Sequence, residues 1–206
     1  MIGRETEALS PGQVLPPAFF AAGALPVARQ LIGSYLCRQE GPGAPIQRWA
    51  IHETEAYTGP DDKACHAAKG LTDRTRVMFG PPGAWYIYLC YGVHWMANIV
   101  CERDGYPAAV LLRGAGPTDG PGKLTKGMVI TALQNGSLAT PATGLWIEAA
   151  PPVPDDEVLV TPRIGIGYAA EWVEKPFRFI WKKATHDLKP ARWKPAANTQ
   201  ASQRKT

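Results

Sequence analysis

No CxxC pair occurs among the four cysteines, Cys37, Cys65, Cys90 and Cys101, and their spacing fits no metal-ligand pattern. That excludes the common zinc modules and a disulfide framework. Cys90 and Cys101 lie in apolar, strand-like runs, where a free thiol behaves as a small hydrophobe. A reducing, intracellular compartment is expected, cytoplasm or nucleoid in a prokaryote. No apolar run approaches the roughly 20 residues of a membrane helix, and no secretory signal opens the chain. Repeats are missing. With 21 glycines and 20 prolines in 206 residues, long helices are disfavoured and many turns are required. A 45% hydrophobic, 19% charged composition is that of a globular protein, and the length favours one domain with its own core.

The net charge of +4 is uneven. Residues 182–206 hold seven basic side chains against Asp187 alone, a net of +6, and the other 181 residues carry a net of −2. Basicity concentrated in a tail suits loose contact with a polyanion, and equally a solubilising role. Residues 1–15 read as a flexible leader, 16–188 as the domain and 189–206 as a basic, disordered tail.

"PAFFAAGALPVARQLIG" reads as one or two short helices, with Val27, Leu31 and Ile32 on one side and Gly33 as the stop. "SYLCRQ" and "QRWAIHETEAY" pair across the turn "EGPGAP". Pro60, Asp61 and Asp62 look like a helix start. Residues 84–101 form a hairpin turning near Gly92, 108–115 a further strand, and "GPGKLTKGMVITALQNG" a helix. The fold expected is mixed α+β: one domain, a curved, mainly antiparallel sheet, peripheral helices and a protruding hairpin.

"HETEAYTGPDDKACHAA" concentrates the chemistry. In a strand, Glu53, Glu55 and Tyr57 share a face, which is costly in a core and ordinary on a surface or in a site. Arg113 ends the apolar run "AVLLR", where beside Glu55 it would keep that carboxylate ionised and able to deprotonate a water. If the hairpin centres on Val93, Tyr88 and Asn98 lie opposite each other, and Tyr91 stands at the lip of the turn. Tyr86 and Tyr88 fit a half-buried strand equally well. Tyr57, His66 and Tyr88 offer flat faces to a planar ring. Glu53, Glu55, Asp61, Asp62 and His66 hold metal-capable atoms, but at no recognised spacing. Acids at a helix N-terminus explain Asp61 and Asp62, and no metal is expected.

Taken together and in order, "ETEAYTGPDDKACHA", "RTRVMFGPPGAWYIYLCYGVHWMANIV", "AAVLLRGAGP", "GPGKLTKG" and "TPRIGIGYAAEWVEKPFRFIW" resemble the alkyladenine (3-methyladenine) DNA glycosylase family, from about Leu15 to about Lys182. The resemblance implies a monofunctional enzyme without a cofactor. Its substrate would be double-stranded DNA containing damaged purines (alkylated, deaminated or etheno), and it would work as a monomer away from membranes. It places Glu55 as general base, sharing a water with Arg113 and the main-chain carbonyl of Ile164. Tyr57 and His66 would lie on one side of a flipped base and Tyr88 on the other. The main-chain N–H of His66 would donate to the 6-position, and Asn98 would crowd the 2-amino group of guanine. Tyr91 would fill the gap in the duplex. Candidate phosphate contacts are Arg74, Arg76, Lys123, Lys126, Arg163 and Lys175. Glu53 reads as support for a nearby arginine. The competing readings are a non-catalytic nucleic-acid-binding module of this fold and a metal-dependent hydrolase built on the acids from 53 to 62.

Overall fold

The computed structural model describes residues 9–183. The expected basic tail, 189–206, lies outside the described residues, as do residues 1–8 of the leader. The leader was expected to be loose as far as residue 15, and its described end is not. The Gly12 N–H donates to Ala149 O at 2.8 Å and the Leu15 N–H to Ile147 O at 2.9 Å. Leu15 is buried in the core, and that burial together with the backbone pairing holds the segment down.

Two short helices follow, α1 (Pro17–Phe20) and α2 (Ala24–Gln30), with Val27, Leu31 and Ile32 buried as the spacing predicts. The strands are β1 (Tyr35–Arg38), β2 (Gln47–Tyr57), β3 (Trp85–Cys90), β4 (His94–Cys101), β5 (Ala108–Ala115) and β6 (Thr118–Asp119). Helix α3 (Pro121–Gly127) precedes β7 (Leu145–Glu148), β8 (Val158–Thr161) and β9 (Arg178–Trp181). Every strand pair is antiparallel, in the order β3-β4-β5-β2-β1-β7, with β9 beside the far half of β2. The expected mixed α+β class and single domain are what the chain adopts. No helix among the described residues is long and apolar enough to cross a membrane.

Strand parity divides the sheet into two faces. Ile87, Ala97, Ile99, Val110, Leu112 and Ala56 join α2 and α3 in the main core. Their neighbours Tyr88, Met96, Asn98, Leu111, Arg113 and Tyr57 line a cavity of about 450 Å³ on the other face. One sheet therefore closes a core with one set of residues and builds a site with the next.

Two local readings change. Tyr86 pairs with Asn98 and Tyr88 with Met96, so the hairpin centres on Gly92 rather than Val93. Tyr88 and Asn98 are diagonal neighbours on one face. The helix expected across 120–136 ends at Gly127, because Val129 adopts φ 51° and the Ile130 N–H closes onto Thr125 O at 2.8 Å. Gly127 allows close packing: a Cβ there would lie 2.5 Å from the Trp49 ring.

Candidate active site

Opposite the middle of β2, the β2–β5 register shifts on both sides of Glu53. The pairing runs from Ile51–Ala115 through Glu53–Gly114 to Thr54–Leu112, which leaves His52 and Arg113 without strand partners. Such irregularities re-aim side chains. Here Arg113 turns onto both glutamates: its Nε donates to Glu53 Oε1 at 3.0 Å, and its Nη1 lies 3.4 Å from Glu55 Oε2. Arg178 Nε donates to the same Glu53 oxygen at 2.8 Å. Glu53 therefore anchors two arginines, in keeping with a supporting role.

Glu55 has no solvent exposure. Its Oε1 accepts the main-chain N–H of Ile164 at 2.8 Å, and its Oε2 accepts the Tyr57 hydroxyl at 2.8 Å. Tyr57, Arg113 and Ile164 all line the cavity, so the carboxylate stands directly behind its wall. An ionised carboxylate has about four acceptor positions. Two hydrogen bonds and the Arg113 charge occupy part of that capacity and leave an acceptor position for a further donor, such as a water. Burial, then the Glu55 charge, pushes the Tyr57 phenol up, so it stays a hydrogen-bond donor.

Across the cavity, the His66 ring meets Tyr88 edge on, with centroids 4.6 Å apart, and its Nδ1 shares a 2.9 Å hydrogen bond with the Tyr86 hydroxyl. The rings expected on opposite sides of a base are thus in contact, and a base entering between them must part them. Asn98 is buried and donates its amide to Tyr86 O at 3.0 Å. Tyr91 is 94% exposed at the hairpin tip with φ 50°, a left-handed conformation uncommon for a tyrosine. Cys65 also faces the cavity, but burial pushes its thiol up to about 11, so no thiolate is present near neutral pH.

Burial, followed by the charges of Arg74 and Lys69, lowers His66 to about 4. Its unfolded pKa is near 6.5. As the pH falls below 6.5 the unfolded chain takes up this proton first, so stability is lost between about 6.5 and 4 and the loss levels off below that. Between pH 7 and 5 His66 is expected to contribute about 1–2 kcal/mol of lost stability. Urea unfolding of wild type and His66→Phe at both pH values checks this. An equal pH dependence in the two proteins would contradict it.

The candidate phosphate contacts separate by burial. Arg163 cannot be one, because its side chain is wholly buried and bound to Asp62 by two bonds of 2.5 and 2.8 Å. Asp62, expected to be a solvated acid at a helix start, is equally buried. It also accepts the N–H groups of Thr58 and Ala64, at 3.1 and 3.0 Å. Arg163 further donates to Ala56 O at 2.9 Å and stacks on Tyr57 with 4.8 Å between centres. Sequence reading missed this pair. Arg74, Arg76, Lys123, Lys126 and Lys175 are exposed. Arg76 pairs with Asp73, Lys123 pairs with Asp119 at 2.7 Å, and Lys175 lies over Trp172. Arg74 is turned to the cavity, over the Tyr88 ring at 4.7 Å. Among the described residues, no group of three or more His, Cys, Asp or Glu side chains is arranged to hold a metal ion.

Residues 18–120 and 117–185 match the methylpurine-DNA glycosylase (MPG) family. A protein of Myxococcus xanthus (strain DK1622), named "Putative 3-methyladenine DNA glycosylase", is 46% identical over 195 residues, covering 88% of this chain and 98% of its own. A protein of the same name from Methanocella arvoryzae is 43% identical over 191 residues, covering 83% and 94%. One from Legionella pneumophila (strain Corby) is 42% identical over 177 residues, covering 82% and 94%. The chain belongs to the methylpurine-DNA glycosylase family.

Proposed function

We propose that this protein is a monofunctional DNA glycosylase. It flips an alkylated, deaminated or etheno purine out of duplex DNA, hydrolyses the N-glycosidic bond and leaves an abasic site. The observation that carries this reading is Glu55, a buried carboxylate held by Arg113, Tyr57 and the Ile164 N–H behind an aromatic cavity.

A glycosidic bond inside a stacked duplex is out of reach, so the nucleotide must leave the stack at a cost of a few kcal/mol. Tyr91, projecting from the hairpin tip, is the side chain available to fill the gap. The purine then packs among Tyr57, His66 and Tyr88. The His66 N–H is the first of a 3₁₀ turn and has no partner within it, which leaves it for the base's 6-position. Glu55 takes a proton from the water as that water attacks the anomeric carbon, and its charge stabilises the sugar cation that develops. The purine departs with the bonding electron pair. The reaction consumes one water and requires no amine nucleophile.

Incubation of the protein with a duplex carrying one hypoxanthine, in the presence of chelator, tests the reading. Free hypoxanthine is the expected product. Salt-sensitive binding without base release would favour a non-catalytic binding module. Tyr91→Ser is expected to lower excision about tenfold or more in duplex DNA and to leave single strands nearly unaffected, since only the duplex has a gap to fill. Equal losses on both substrates would remove Tyr91 from the wedge role.

A further inference from the structure

The Tyr88 ring already carries a cation. Arg74 Cζ lies 4.7 Å from its centroid, and Arg74 lines the cavity together with His66 and Tyr86. The position is built. Thr75, next in the chain, is buried and ties the loop through its hydroxyl to Gly70 O at 2.9 Å, while its neighbour Arg76 is engaged by Asp73. Among the described residues no carboxylate forms an ion pair with Arg74. Arg74 is exposed at the cavity rim, so its guanidinium is open to solvent on one side and lies over Tyr88 on the other, and after burial its charge also helps to hold the His66 imidazole neutral.

A purine stacking on Tyr88 must share that ring with the guanidinium or displace it. The two chemical classes of damaged purine respond differently. A ring-alkylated purine such as 7-methylguanine is cationic, so it competes with the guanidinium for the ring and is repelled by it. A deaminated purine such as hypoxanthine is neutral and presents ring nitrogen and oxygen acceptors to which a guanidinium can donate. We propose that Arg74 is a specificity-determining residue that contacts the base and biases the pocket toward neutral, acceptor-bearing purines and against cationic ones. The inference rests on the glycosylase reading and adds to it a rule for ranking substrates.

The test uses two duplexes of one sequence, carrying either 7-methylguanine or hypoxanthine, with single-turnover excision by wild type and Arg74→Gln. The intrinsic lability of each glycosidic bond cancels when the two proteins are compared on the same lesion. The ratio of 7-methylguanine to hypoxanthine excision is expected to rise about tenfold in the variant. A rise of less than about threefold, or a fall, overturns the proposal. If both rates also drop together, Arg74 is a backbone contact that reads no base. Failure of the wild type to release either base overturns the glycosylase reading and this inference with it.

Discussion

Glu55→Gln is expected to reduce excision about a thousandfold or more while leaving affinity for a lesion-bearing duplex within a few fold. The substitution removes a base and a negative charge but keeps the shape. Its amide oxygen can still accept from the Ile164 N–H, and its amide nitrogen can donate to Tyr57 once that hydroxyl rotates. Arg113 keeps Glu53, 3.0 Å away, so the variant does not strand a buried cation. The fold should therefore survive, and the loss belongs to the chemical step. Single-turnover rates and binding isotherms on one hypoxanthine duplex read the two effects separately. Excision at the wild-type rate would remove Glu55 from the base role.

Asp62→Ala should cost about 3–5 kcal/mol, because it leaves the Arg163 guanidinium buried and unpaired. In a domain of this size that corresponds to a fall of about 6–20 °C in Tm. Arg163 sits between Tyr57 and Phe177, 4.8 and 5.2 Å away, and precedes the residue whose N–H grips Glu55. Excision should fall as well, as the wall behind the base loosens. The double variant Asp62→Ala/Arg163→Met, with no orphaned charge, should recover much of the lost stability. Thermal melts of the three proteins decide the matter. A Tm for Asp62→Ala within about 3 °C of wild type would contradict the assigned role.

Much of the site was legible because strands impose a period of two. Glu55 and Tyr57 could be placed together, and Tyr91 could be placed at the lip of the hairpin turn. The one-residue error in the hairpin centre arose where Tyr91 itself takes a left-handed conformation, at a position where such a conformation is usually signalled by glycine. The overlong third helix has a related cause. Val129, a β-branched residue, occupies the left-handed stop, and Gly127, the last residue of the helix, serves contact with Trp49. The Asp62–Arg163 pair joins residues 101 apart. Nothing local marks either as buried, and Asp62 following Pro60 mimics a helix start. Nor could the sequence show that Arg74, though exposed like Arg76, lies over the Tyr88 ring at the cavity while Arg76 pairs with Asp73.

In the proposed mechanism a water held at Glu55, and no amine of the protein, attacks the sugar. This step is tested most directly by single-turnover reaction of wild type with an end-labelled hypoxanthine duplex in chelator, with and without sodium borohydride. Samples are resolved before and after alkali. The expected result is strand scission only after alkali and no borohydride-trapped protein–DNA adduct. Scission without alkali, or a trapped adduct, would mean that a lysine or terminal amine forms a Schiff base and would contradict the mechanism.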